Sequence, residues 1–97
     1  MLIMKKFDFL QKTPDDINEM LAARVRMIRK GKNISQKRMS EKSGVSLGSV
    51  QRFEQIGEIS LSSLIRIAIA LDISSELENL FKERPISSIE EIINGQS

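Results

Sequence analysis

Cysteine and histidine are both absent from this 97-residue chain. That excludes a disulfide framework, thiolate or imidazole metal sites, and any nucleophile–histidine pair. A carboxylate-only metal site is left, but no stretch gathers acids at the spacing of a calcium loop. Nor is there an acid–base pair or a phosphate loop, and Glu41, Glu54 and Glu58 read as surface or ion-pair residues. The expectation is therefore a protein that is not an enzyme, with no metal and no cofactor. No apolar run reaches the length of a membrane span, and the charges in Met1–Leu10 come too early for a signal sequence. These absences together suggest a soluble protein of a reducing cytoplasm.

The net charge of +2 hides an asymmetry along the chain. Between Arg24 and Arg52 there are nine basic residues against one acid, Glu41, whereas from Phe53 onward eight acids face three bases. Solvated helical surfaces usually mix their signs, so the basic stretch suggests a face for a polyanion; the alternative is a basic patch that binds nothing.

A chain of this length supports one modest core. Residues 1–12 read as an N-terminal arm without helical spacing. Thr13-Pro14-Asp15-Asp16 starts a helix, with a capping threonine, a proline suited to the first position and two acids at the positive end of the dipole. Ile17, Leu21, Val25 and Ile28 then recur at helical spacing, and Gly31 ends the run. Ser35 caps a second helix, QKRMSEKS, closed by Gly44, where glycine turns left-handed at little cost. Ser46 caps a third, LGSVQRFEQ, which Gly57 breaks. Ser60 or Ser62 starts a fourth, LSSLIRIAIALD, whose Leu61, Leu64, Ile67, Ala68 and Leu71 serve the core. Ser74 or Ser75 caps a fifth, ELENLFKE, ending before Pro85. The expected fold is all-α: five helices over residues 13–84, flanked by the arm and by a tail, 85–97, that holds a further turn or two of helix.

The segment SGVSLGSVQRFEQ, Ser43 to Gln55, is oddly poor in bulk for a helix front. Two short helices joined by a glycine turn, the second opening on small polar residues, form a helix-turn-helix, here at 35–55. Met39, Val45, Val50 and Phe53 would face inward, and Gln36, Lys37, Leu47, Gly48, Gln51 and Arg52 outward. Gln51 offers a paired amide donor and acceptor, and Arg52 a guanidinium fork. Gly48 lets one face of the segment come very close to something else. Its alternative is a looser helix that costs about 1 kcal/mol relative to alanine.

The stretch SQKRMSEKSGVSLGSVQRFEQIGEISLSSLIRIAIALDISSELENLF resembles the Xre-type helix-turn-helix proteins, relatives of phage Cro and phage repressors. Four features carry the likeness in order: Ser-Gln opening helix two, the Ser-Gly-Val-Ser turn, Arg-x-Glu closing helix three, and the later Leu-x-x-Ile-Ala-x-Ala-Leu pattern. The resemblance implies a lambda-repressor-like bundle that binds operator DNA through Gln36, Ser46, Leu47, Gly48, Ser49, Gln51 and Arg52. It also implies that Gln55 contacts phosphate, with Lys32, Lys37 and Arg38 as further phosphate partners. Leu47 and Gly48 stand where the family often has polar readers, so sequence preference would rest on Gln51, Arg52 and DNA shape. For Arg29 and Glu54 the resemblance implies a structural salt bridge rather than DNA contact.

The fourth helix carries more apolar residues than one buried face needs. Ile65 and Ile69 line up one turn apart, and Ile89, Ile92 and Ile93 follow in the tail. They suggest a dimer or partner surface, the alternative being cover by the arm or tail. A homodimer on a palindromic operator would double the few base pairs that one helix reads, with recognition helices roughly 34 Å apart. Stand-alone chains of this kind resemble repressors of their own operons in prokaryotes or phages. Some of them are antitoxins that also neutralise a kinase-like toxin. A protein-binding module without DNA contact is the third reading.

Overall fold

The computed structural model describes residues 12–83, and these form five helices without a strand. The first, α1 (Pro14–Gly31), starts at a reciprocal capping box: the Thr13 hydroxyl accepts from the Asp16 amide and the Asp16 carboxylate accepts from the Thr13 amide. That pairing satisfies two of the free donors at the helix start. The Thr13 hydrogen bonds, backbone first, hold the Asp16 carboxyl below its usual pKa.

Gly31 does not end α1 by turning left-handed; it is the last helical residue. Asn33 turns instead, at φ 58°. Asparagine tolerates that region, and the turn lets the Ile34 amide reach back to the Arg29 carbonyl at 3.2 Å. The N-terminal half of the expected apolar stripe is not fully covered either. Ile17 and Leu21 are each 42% exposed, whereas Ala22 is buried and Val25 and Ile28 pack on the core.

Helices α2 (Gln36–Ser43) and α3 (Leu47–Ile56) lie where the capping residues put them. Ser35 and Ser46 cap their starts, and Gly44 and Gly57 close them in the left-handed region at φ 75° and 79°. Helix α4 (Leu61–Ala70) starts at Ser60, whose hydroxyl accepts from the Ser63 amide. Leu61, expected in the core, is 69% exposed. It is the first residue of α4, and the face it shares with Ile65 and Ile69 at four-residue intervals points away from the Ile67–Leu71 side.

The last helix, α5 (Ser74–Glu78), is shorter than its sequence suggests and is not capped by a serine side chain. Asp72, at φ 60°, turns the chain out of α4, and Ile73 occupies the cap position with its amide bonded to the Ala68 carbonyl. From Glu78 to Glu83 every residue is exposed. Short helices depend on packing of an apolar face, so propagation into Leu80 and Phe81 has nothing to stabilise it.

Met39, Val50, Phe53, Ile67 and Leu71 are the largest fully buried side chains, joined in the core by Ala22 and Val45. Helix α1 packs on α3, α2 packs on both α3 and α4, and α5 sits against α4. Val50 and Phe53 thus fasten the inner face of α3 to the rest of the bundle and leave its other face free.

Candidate nucleic-acid interface

The position of α3 depends on a buried ion pair. Arg29, near the end of α1, donates from Nε to Glu54 Oε2 at 2.6 Å and from Nη2 to Oε1 at 2.9 Å. Its Nη1 donates to the Ile34 carbonyl at 2.8 Å, and Gln36 Nε2 donates to Glu54 Oε1 at 3.0 Å. The two charged side chains are 8% and 3% exposed, as the resemblance implied for this pair. Burial by itself would raise the Glu54 pKa. The hydrogen bonds from Arg29 and Gln36, with the charges of Arg29 and Arg26, outweigh it and hold the carboxyl below its usual range. One cluster therefore joins the end of α1, the turn after it, the start of α2 and the end of α3.

Gln36 is consequently not the outward residue expected of it. It is half-buried, and one of its two amide N–H donors is committed to Glu54, which leaves the other N–H and the carbonyl oxygen.

The turn between α2 and α3 is locked by small hydroxyls. Ser40 donates to the Val45 carbonyl at 2.6 Å, and the Ser43 hydroxyl accepts from the Val45 amide at 3.1 Å. Burial of Val45 ties the turn to the core as well. At the front of α3, Ser46 accepts from the Ser49 amide and donates to the Ser49 hydroxyl at 2.8 Å. Leu47, Gly48, Ser49, Gln51, Arg52 and Gln55 all face solvent beside them. A Cβ built on Gly48 meets nothing within 4 Å, so no internal packing requires a glycine there.

Several cations lie in solvent on the neighbouring elements. Lys32, Lys37 and Arg38 are exposed, and Arg38 makes only a loose contact of 3.7 Å with Glu41. Arg26 and Lys30 line a groove between α1 and α3 together with Gln55. Arg52 is paired: its Nη2 donates to Glu58 Oε1 at 2.6 Å, with both side chains more than half exposed. Glu58, which reads from the sequence as a surface or ion-pair residue, is both. Six residues separate it from Arg52, which is not a helical repeat, so only the turn at Gly57 brings the two together.

Ile65 and Ile69 lie on the surface of α4, 39% and 62% exposed, in line with Leu61. Ile89, Ile92 and Ile93 lie outside the described residues. Among the described residues, no helix is long and apolar enough to cross a membrane.

A short helix seated over a tight glycine turn, its small-residue front in solvent, defines the helix-turn-helix architecture. A helix-turn-helix family model matches residues 25–77, and the chain belongs to this family, the Xre/Cro-like helix-turn-helix proteins. Comparisons with curated proteins and with solved structures found no match. The family's domains bind DNA and are generally non-enzymatic, which makes this chain a DNA-binding protein of the transcription-regulator kind.

Proposed function

We propose that the chain is an autoregulatory repressor of the prokaryotic or phage cytoplasm, which binds a palindromic operator as a homodimer. Helix α3 enters the major groove. Gln51 and Arg52 read base edges, and Ser46, Leu47, Gly48 and Ser49 form a front slim enough for close approach. Gln55, Lys32, Lys37 and Arg38 hold phosphates, and the free carbonyl of Gln36 accepts from a base edge. The observation that carries this reading is the split between the two faces of α3. Val50 and Phe53 are 0% and 2% exposed, while Leu47, Gly48, Ser49, Gln51, Arg52 and Gln55 are all in solvent.

The test is binding to duplex DNA from upstream of the chain's own gene, titrated over a range of salt. Several phosphate contacts give an affinity that falls steeply as salt rises. Gln51→Ala and Arg52→Ala weaken binding without loss of fold, and Gln51→Ala relaxes preference at one base pair by about 1–3 kcal/mol. Unaltered binding by both variants would move the reading surface elsewhere.

The exposed row Leu61, Ile65 and Ile69 favours a protein partner as well. It serves as the dimer contact in the repressor reading. In the second reading the chain is an antitoxin, and a cognate kinase-like toxin covers the same row. Co-purification with the product of the neighbouring reading frame separates the two readings.

A further inference from the structure

We propose that Glu58 is a positioning residue that sets sequence selectivity by holding Arg52 for a base edge instead of a phosphate. The proposal rests on the DNA-binding reading above and concerns how that surface discriminates.

Both ends of the Arg52–Glu58 pair spring from fixed backbone. Arg52 precedes Phe53, which is sealed in the core. Glu58 lies between Gly57 and Ile59. Gly57 is buried in the left-handed region, and its amide donates to the Phe53 carbonyl at 2.8 Å. It sits so close to α1 that a Cβ there would lie 2.6 Å from the Asn18 carbonyl carbon. Ile59 packs against the core on the other side. The carboxylate therefore projects from a point braced on α1, and Arg52 meets it at 2.6 Å across the junction of α3 and α4.

The pair does little for the fold. Its side chains are 64% and 58% exposed, and exposed pairs contribute little to stability. Its consequence lies in what it leaves of the guanidinium. One Nη2 hydrogen goes to Glu58, so four N–H donors remain, enough for the two-pronged contact to O6 and N7 of guanine. A free arginine on this helix would swing to whichever phosphate is nearest, and phosphate contacts carry no sequence information. With its charge partly neutralised and its rotamer held, Arg52 loses indiscriminate attraction and keeps directional donors. The adjacent carboxylate also repels a misplaced phosphate, a penalty on wrong registers as well as on wrong sequences.

The experiment uses the full chain and a pool of random-sequence duplex DNA, with the bound fraction sequenced and affinity for the unselected pool titrated over salt. Wild type, Arg52→Ala, Glu58→Ala, Glu58→Gln and the Arg52→Ala/Glu58→Ala double variant are compared, each checked for an unchanged melt. Wild type enriches a site, and Arg52→Ala erases the preference at one base pair of it. Glu58→Ala weakens the preference at that same base pair by about tenfold, the low end of what a bidentate base contact provides. It also raises affinity for the unselected pool. Glu58→Gln keeps the acceptor oxygen without the charge, so it recovers part of the preference while still binding the pool more tightly. The double variant is no less selective than Arg52→Ala alone. The proposal is overturned if Glu58→Ala enriches the wild-type site undiminished, or if its effect on selectivity persists in the Arg52→Ala background. A wild-type chain that retains no duplex at any salt overturns the DNA-binding reading, and this inference with it.

Discussion

Arg29→Ala is the most severe single change that the structure identifies outside the apolar core. It removes two hydrogen bonds to Glu54, at 2.6 and 2.9 Å, and one to the Ile34 carbonyl at 2.8 Å. What remains is a carboxylate whose side chain is 3% exposed, with the Gln36 amide as its one other hydrogen-bond partner. Breaking one side of a buried pair costs about 3–5 kcal/mol, because the surviving charge stays desolvated. A domain of this size has roughly 4–10 kcal/mol of stability in total. The variant therefore lies near the edge of folding at 25 °C. In thermal terms the loss is at least about 12 °C, at roughly 4 °C or more per kcal/mol for a domain this small. Urea unfolding followed by far-UV circular dichroism measures it. The same physics makes a second, sharper prediction: Arg29→Met with Glu54→Leu removes both charges and fills the space. That double variant should recover to within about 1 kcal/mol of wild type, since an apolar replacement of a buried pair is often neutral. The Gln36 amide it strands is half-buried, within reach of water. An Arg29→Ala unfolding midpoint equal to wild type, or a double variant as unstable as the single one, would refute the reasoning.

Acid should weaken the fold through the same cluster and through the cap of α1. Glu54 and Asp16 both have pKa values below the usual carboxylate range in the folded chain, so the unfolded chain takes up protons first as pH falls. Their contribution is complete above a pH of about 4.5 and is lost as pH drops through the folded values. Urea midpoints measured from neutral pH down to about pH 3 should decline, and less steeply for Glu54→Gln. The glycines should separate cleanly. Gly44→Ala meets no neighbour and carries only the left-handed penalty, roughly 1–2 kcal/mol. Gly57→Ala adds overlap with the Asn18 backbone, for a total of about 2–5 kcal/mol by chemical denaturation. Gly48→Ala, in open space within a helix, should stabilise the fold by about 0.5–1 kcal/mol. Gly48→Leu should fold equally well and bind DNA more weakly, and unchanged affinity in a gel-shift titration would remove the close-approach role.

The parts of this fold that sequence reading placed well are those decided within a few residues. Ser35, Ser46 and Ser60 cap because a hydroxyl there meets the amide three positions on, and Gly44 and Gly57 close helices because a left-handed turn favours glycine whatever surrounds it. Gly31 is the last residue of α1, where the sequence places the end of the helix, but the left-handed turn that follows falls elsewhere. The end of α1 is set by the return of Ile34 to Arg29, and that bond needs the left-handed residue two places later, at Asn33. Leu61 misled because an apolar residue one turn before Ile65 fits either side of a helix, and the tertiary packing put it outside with Ile65 and Ile69. On the candidate reading face, the inner residues were legible from their period. The partners of Gln36 and Arg52 were not: Glu54 reaches Gln36 only once α2 and α3 have docked, and Glu58 reaches Arg52 only through the turn at Gly57. Those two carboxylates do different jobs according to burial alone. Glu54, sealed beneath α3, fixes where the helix sits. Glu58, in solvent beside it, adds little to stability and pairs with Arg52 on the outer face of α3. In the reading proposed above, the first of these acids builds α3 into the bundle and the second sets what its outer face grips.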